Sequence, residues 1–235
     1  MLSTILMART SLNDSQRDTG YIAFFDLDRT LIGKVSGKAL ATGAWKKGLM
    51  KTSDLVKAVL LSLLYSLKLM DPVKVMNEML TWVEGISEST FNDLCSEVFT
   101  GVLLPSVYGE AKPEIEEHHK NKTKTVILSS SLLQVCREFA DHLGIDDVIC
   151  SEIEIRDGIL TGKPKGHLCF GPEKLVRMKE YCEKNNITPR KAWYYADSAS
   201  DIPVLEAVGH PVCVNPDKEL LKKAKINSWE VYYWK

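Results

Sequence analysis

A short apolar run, Tyr21-Ile22-Ala23-Phe24-Phe25, is followed at once by Asp26-Leu27-Asp28-Arg29-Thr30. Aromatic and β-branched side chains in an unbroken run make a strand buried on both faces. Such strands belong to parallel sheets covered by helices on either side. Two carboxylates then stand at i and i+2, positions that an extended chain points the same way. Two acids held together at the end of a buried strand repel each other unless a cation lies between them. The same residues also suit a polar loop with an Asx-turn ahead of a helix. This stretch alone leaves both open, and the rest of the chain decides between them.

From about residue 34 to 101 no strand-like run occurs. Ser36 to Lys51 has helical spacing, and Thr52-Ser53-Asp54 offers an N-cap for an apolar helix from Leu55 to Leu69. Asp71-Pro72 opens another helix, with Asp as cap and Pro at the first position. Ser87-Glu88-Ser89-Thr90 opens a third, with Phe91, Leu94, Cys95, Val98 and Phe99 on one side. Beyond this block strands and helices alternate. Strands are expected at Thr125–Ser129, Asp147–Cys150, Lys191–Ala196 and Pro211–Val214, with helices at Leu132–Leu143, Pro172–Asn185 and Ile202–Ala207. Asp157-Gly158 marks a hairpin turn, and a basic helix from Lys218 to Lys225 leads into a polar, aromatic tail. The pattern predicts an α/β fold: a doubly wound parallel sheet with an inserted all-helical cap domain. Residues 1–20 form an N-terminal arm, 21–33 and 108–235 the core, and 34–107 the cap.

Across 235 residues the formal charge is −1, which gives no reason to expect a nucleic-acid partner or a membrane surface. Six scattered cysteines without a CxxC pair argue against zinc and against a disulfide framework, and fit a cytoplasmic protein with reduced thiols. The Leu55–Leu69 stretch is too short to span a bilayer and is expected to be buried or to face another subunit. No stable membrane insertion follows from it, and the oligomeric state is left open. His118 and His119 near a helix end suit the helix dipole rather than a metal. The lysines at 34, 38, 46, 47 and 51 suit either an anionic partner or a solvated helix face.

Ligands of parallel sheets bind at the carboxyl ends of the strands. Three strands lead there into polar groups: Asp26, Asp28 and Thr30; Ser129-Ser130-Ser131; and Asp197-Ser198-Ala199-Ser200-Asp201. Lys174 opens an intervening helix. Singly, the serines could be a helix cap and Lys174 a solvated side chain. Together, carboxylates, hydroxyls, free amides and a lysine describe a site for magnesium and a phosphoryl group. A carboxylate there can attack phosphorus, and a neighbouring carboxylic acid can protonate the leaving alcohol and then activate water.

These motifs resemble those of the haloacid dehalogenase (HAD) superfamily, in its phosphoserine-phosphatase-like branch, subfamily IB, whose core is a Rossmannoid sheet. Asp26-Leu27-Asp28-Arg29-Thr30 is similar to that family's DxDxT motif, Leu128-Ser129 to its second motif, Lys174 to its third-motif lysine, and Ala196-Asp197-Ser198-Ala199-Ser200-Asp201 to its GDSxxD motif. The resemblance implies a Mg2+-dependent phosphatase acting on a small phosphorylated metabolite through an aspartyl-phosphate. It also implies roles. Asp26 is nucleophile and metal ligand. Asp28 is general acid/base and touches the metal through its backbone carbonyl. Thr30 orients the motif. Ser129, Ser130 and Lys174 hold the phosphoryl group, Asp197 ligates the metal, and Asp201 supports its waters. Cap closure would exclude water and gate turnover.

Two positions depart from the family pattern. Ala196 stands where Gly is usual, and Arg29 stands where a small or polar residue is common. Phosphoserine phosphatases generally carry a glutamate shortly after the first motif. Lys34-Val35-Ser36-Gly37-Lys38 has no acid, which argues against phosphoserine. A phosphoserine phosphatase proper, a phosphotransferase using the same intermediate, and a non-enzymatic binding module are the alternatives.

Overall fold

The computed structural model describes residues 20–67 and 69–235. The expected N-terminal arm, apart from Gly20, and Lys68 lie outside the described residues. In chain order the elements are β1 (Ile22–Phe25), α1 (Ser36–Lys46), α2 (Thr52–Ser66), α3 (Pro72–Glu78), α4 (Glu88–Val98), α5 (Ala111–Lys120), β2 (Lys124–Leu132), α6 (Leu133–Leu143), β3 (Asp147–Ser151), β4 (Ile153–Arg156), β5 (Ile159–Pro164), α7 (Pro172–Lys184), β6 (Trp193–Ala196), α8 (Ile202–Ala207), β7 (His210–Val214), α9 (Lys218–Asn227) and β8 (Glu230–Tyr232). Six strands form one sheet in the order β3-β2-β1-β6-β7-β8. Every pairing in it is parallel, as expected for a doubly wound fold.

The central strand shows why the chain folds this way. All four β1 side chains are buried. Alternation sends Ala23 and Phe25 to one face and Ile22 and Phe24 to the other. On the first face Phe25 and Ile127 share a core with Phe139 and with Leu40, Phe91 and Leu94 from the helices between β1 and β2. On the second, Phe24 and Val126 pack with Met178, Val204 and Leu220 of α7, α8 and α9. Side chains of Asp71, Ser87 and Asp217 accept hydrogen bonds from the first turns of α3, α4 and α9. Gly144 closes α6 in the left-handed conformation, at φ 73°.

Four details differ from the sequence expectation. Strand β2 does not stop at Ser129 but runs on through the serines to Leu132. The aromatic tail adds the edge strand β8, whose Glu230-Val231-Tyr232 has no continuous apolar run because it lies at the sheet edge. Helix α2 turns an apolar stripe to solvent, with only Leu61 among its described side chains buried, which departs from a buried helix and is compatible with the other expectation of a face turned to another subunit. His118 is not a dipole partner alone: it is buried in an aromatic cluster. There its Nδ1 lies 3.0 Å from the Tyr21 hydroxyl, and its Nε2 lies 2.9 Å from that of Tyr195.

The hairpin of β4 and β5 turns at Asp157 and Gly158, both with positive φ. Its second strand pairs with the segment ahead of α4. Gly85 N–H donates to Leu160 O at 3.0 Å, Leu160 N–H to Ile86 O at 2.9 Å, and Glu88 N–H to Gly158 O at 2.8 Å. Close by, a Cβ on Gly162 would come within 3.0 Å of Glu84 Cβ, so only glycine fits this approach, which also has φ 71°.

Candidate active site

Register assembles the site. Phe25 is level with Ile127 on β2 and with Tyr195 on β6. Asp26 follows one residue later on its strand, Ser129 and Asp197 two residues later on theirs. Asp26 N–H donates to Tyr195 O at 2.9 Å, which prolongs the ladder to the carboxylate itself. The chain order reverses between β1 and β6, so this crevice is the topological switch point where ligands of such sheets bind.

Lys174, two residues into α7, reaches in from the second face and is 2% exposed. Its Nζ lies 3.0 Å from Asp26 Oδ1, 2.8 Å from Asp201 Oδ1 and 3.1 Å from the Tyr194 hydroxyl. Burial works against the Lys174 charge, but Asp201 and Asp26 outweigh it and hold its pKa well above the usual lysine range. Asp26, Asp197 and Asp201 each present a carboxylate oxygen to the others, all within 4.8 Å, and all three are buried. The Asp28 carboxylate is outside this cluster. Its Oδ1 accepts from Ser36 N–H and its Oδ2 from Ser36 Oγ, each at 3.0 Å. Ser36 is the first residue of α1, so Asp28 caps that helix in place of Val35, whose side chain cannot. Ser36 Oγ also lies 2.9 Å from Ser131 Oγ.

The carboxylates are short of positive charge. Burial, then repulsion from Asp26 and Asp201, pushes Asp197 up to about 8. Burial raises Asp201 to about 6 even though Lys174 pulls it down. Burial, and to a lesser degree Asp26, lifts Asp28 to about 7 against the Ser36 hydrogen bonds. A hard, oxygen-seeking divalent cation fits this donor set, since it would relieve the repulsion that one lysine leaves.

Of the other expected residues, Ser129 is fully buried at the crevice floor, and its Oγ accepts from Ser131 N–H at 3.3 Å. Ser130 is half-buried beside it. Thr30 is buried within the tight turn, its N–H donating to Leu27 O at 3.2 Å. Arg29 takes the left-handed conformation at φ 61°, uncommon without glycine, is exposed, and lowers the Asp197 pKa through its charge. Ser36 and Tyr194 join the site without having been expected, and Ser131, expected only as part of the serine run, reaches Ser36. Tyr194 stands inside a run that reads as plain strand. The Ser36 contact depends on how α1 leaves the loop.

The family model for haloacid dehalogenase-like hydrolases matches residues 23–206. The chain is 28% identical over 214 residues to the inhibition of morphological differentiation protein of Streptomyces azureus, covering 89% of this chain and 76% of that one. It is 27% identical over 219 residues to a histidinol-phosphatase of Neisseria meningitidis, covering 91% and 99%. A crystal structure of a Bordetella pertussis protein of unknown function superposes with TM-score 0.83 at 24% identity, covering 91% and 99%.

Proposed function

Because the chain belongs to the haloacid dehalogenase-like hydrolases, we propose that it is a magnesium-dependent phosphatase of small phosphomonoesters. The observation that carries this is the buried trio Asp26, Asp197 and Asp201 with Lys174 between two of its members. Asp26 attacks phosphorus, and Asp28 delivers a proton to the departing alcohol, leaving an aspartyl-phosphate. Asp28 then takes a proton from water as the water oxygen attacks the same phosphorus, which releases phosphate and frees Asp26. A side chain with a pKa of about 7 serves both directions near neutrality. Lys174, the Ser129 hydroxyl and the amides around Ser130 hold the phosphoryl oxygens. Asp26, Asp197 and the Asp28 carbonyl would hold Mg2+, with Asp201 behind them, and the ion would neutralise phosphoryl charge. The acid-free segment Lys34–Lys38 favours a substrate other than phosphoserine.

Residues 34–107 act as a cap on a core of 21–33 and 108–235. The two crossing strands of chain lie side by side at the boundary, with Gly33 N–H on Ser106 O at 2.7 Å and Tyr108 N–H on Leu31 O at 3.0 Å. Asp28 belongs to the core and Ser36 to the cap, so the general acid is oriented by the element that covers it.

Ser36→Ala tests this. Losing one of two hydrogen bonds to a carboxylate is expected to lower kcat/KM for an alkyl phosphate about tenfold. For p-nitrophenyl phosphate, whose leaving group needs no proton, the drop stays below about threefold. Equal losses on both substrates would remove Ser36 from acid catalysis.

Metal dependence has its own signature. Asp201, Asp28 and Asp197 have raised pKa values, about 6, 7 and 8, so the metal-free folded chain binds more protons than the unfolded one. Its stability therefore falls as pH rises from about 4 to 8, by up to about 1.4 kcal/mol per pH unit for each such proton. Added Mg2+ is expected to raise the melting temperature more at pH 8 than at pH 5.5. Thermal melts with EDTA and with Mg2+ measure this, and a pH-independent increment would count against the carboxylate site.

A further inference from the structure

The site described above makes no use of α2. Its Val56, Val59, Leu60 and Leu63 are 53–64% exposed, and Leu67 just beyond is 56% exposed. At i, i+3, i+4, i+7 and i+11 they form one continuous stripe. Trp45, 41% exposed at the end of α1, donates its indole N–H to Thr52 Oγ1 at 3.2 Å. Thr52 is four residues before Val56, so the indole stands at the N-terminal end of the stripe. Exposed apolar area of this extent on one helix marks an interaction surface.

Charge identifies the partner. Between Lys34 and Lys74 the sequence holds eight lysines, two aspartates, and no arginine or glutamate, a local charge of +6 in a chain of net −1. Lys46, Lys51 and Lys74 are exposed around the stripe, while Lys47 and Lys57 hold Glu97 and Glu78. With Glu97 and Glu78 offsetting two of the eight lysines, a second copy meeting this region symmetrically would still bring +4 against +4. An anionic lipid surface takes the same charge favourably, and an amphipathic helix with lysines and a tryptophan at its rim suits the headgroup boundary. With 15 residues, α2 lies along that boundary, and among the described residues no helix is long and apolar enough to cross a membrane.

We propose that α2 docks the protein on an anionic bilayer surface, with Val56, Leu60, Leu63 and Leu67 in the acyl boundary and the surrounding lysines on lipid headgroups. Co-sedimentation of the full chain with vesicles tests it. Binding is expected to phosphatidylcholine vesicles that contain phosphatidylserine and not to phosphatidylcholine alone, and to fall as salt is raised. The double variant Leu60→Glu, Leu63→Glu should lose at least about tenfold in partitioning, with its melting temperature unchanged because both side chains are exposed. Absence of binding to the anionic vesicles would overturn the proposal, as would equal binding by the variant. A wild-type dimer in light scattering that the variant dissolves would also overturn it, and would assign the face to a second copy.

Discussion

Asp26→Asn is expected to abolish turnover, by about 10^4-fold or more, while the protein stays folded. The amide keeps the shape of the carboxylate but cannot attack phosphorus. Stability should not suffer. Asp26 stands within a crowded set of buried acids, and Lys174 keeps Asp201 as a partner at 2.8 Å. Removing one negative charge relieves repulsion on Asp197 and Asp201, so the metal-free melting temperature should hold or rise. Hydrolysis of p-nitrophenyl phosphate and a thermal melt read the two effects separately. Near-normal hydrolysis would end the assignment of Asp26 as nucleophile.

Lys174→Met is expected to show the reverse balance, losing stability as well as activity. Methionine fills a similar volume, so no cavity opens. It leaves Asp26 and Asp201 without the ammonium that lies between them. Breaking a buried pair in this way costs about 3–5 kcal/mol. The cost should shrink toward pH 5, where a proton on Asp201, whose pKa burial already raises to about 6, can take the place of the lost charge. Mg2+ should restore part of the stability at pH 7.5. Activity should fall about 10^2- to 10^3-fold, as when other fixed electrostatic groups are removed. Urea unfolding at the two pH values checks this. A loss independent of pH would mean that Lys174 contributes packing rather than charge.

The legible parts of the chain were those where neighbouring residues carry the signal. Ile22–Phe25 reads as a buried strand because each of its side chains meets one core or the other. Asp71, Ser87 and Gly144 read as helix ends because caps act over three or four residues. The crevice was legible through topology, since parallel pairing brings Asp26, Ser129 and Asp197 nearly level. What failed to show was set by contacts across the chain. Tyr194 looks like any aromatic in a strand until Lys174 arrives from α7. Ser36 looks like a helix-opening residue until the loop brings Asp28 onto it. The apolar run of α2 suggested a core or a subunit face without deciding between them, because periodicity says which side chains share a face, not what lies opposite.

The ribbon that joins Gly85–Glu88 to Leu160 and Gly158 limits how the helices over the crevice can move. They are attached to the sheet domain not only where the backbone crosses near Gly33 and Ser106 but also along this second seam. A body fastened along two lines cannot lift away freely. It is expected to rock about the axis they define rather than to lift away. Weakening the seam, for instance with proline in place of the exposed Glu88 at the first position of α4 to remove the hydrogen bond it donates to Gly158 O, is expected to free a broader motion without touching any group in the crevice.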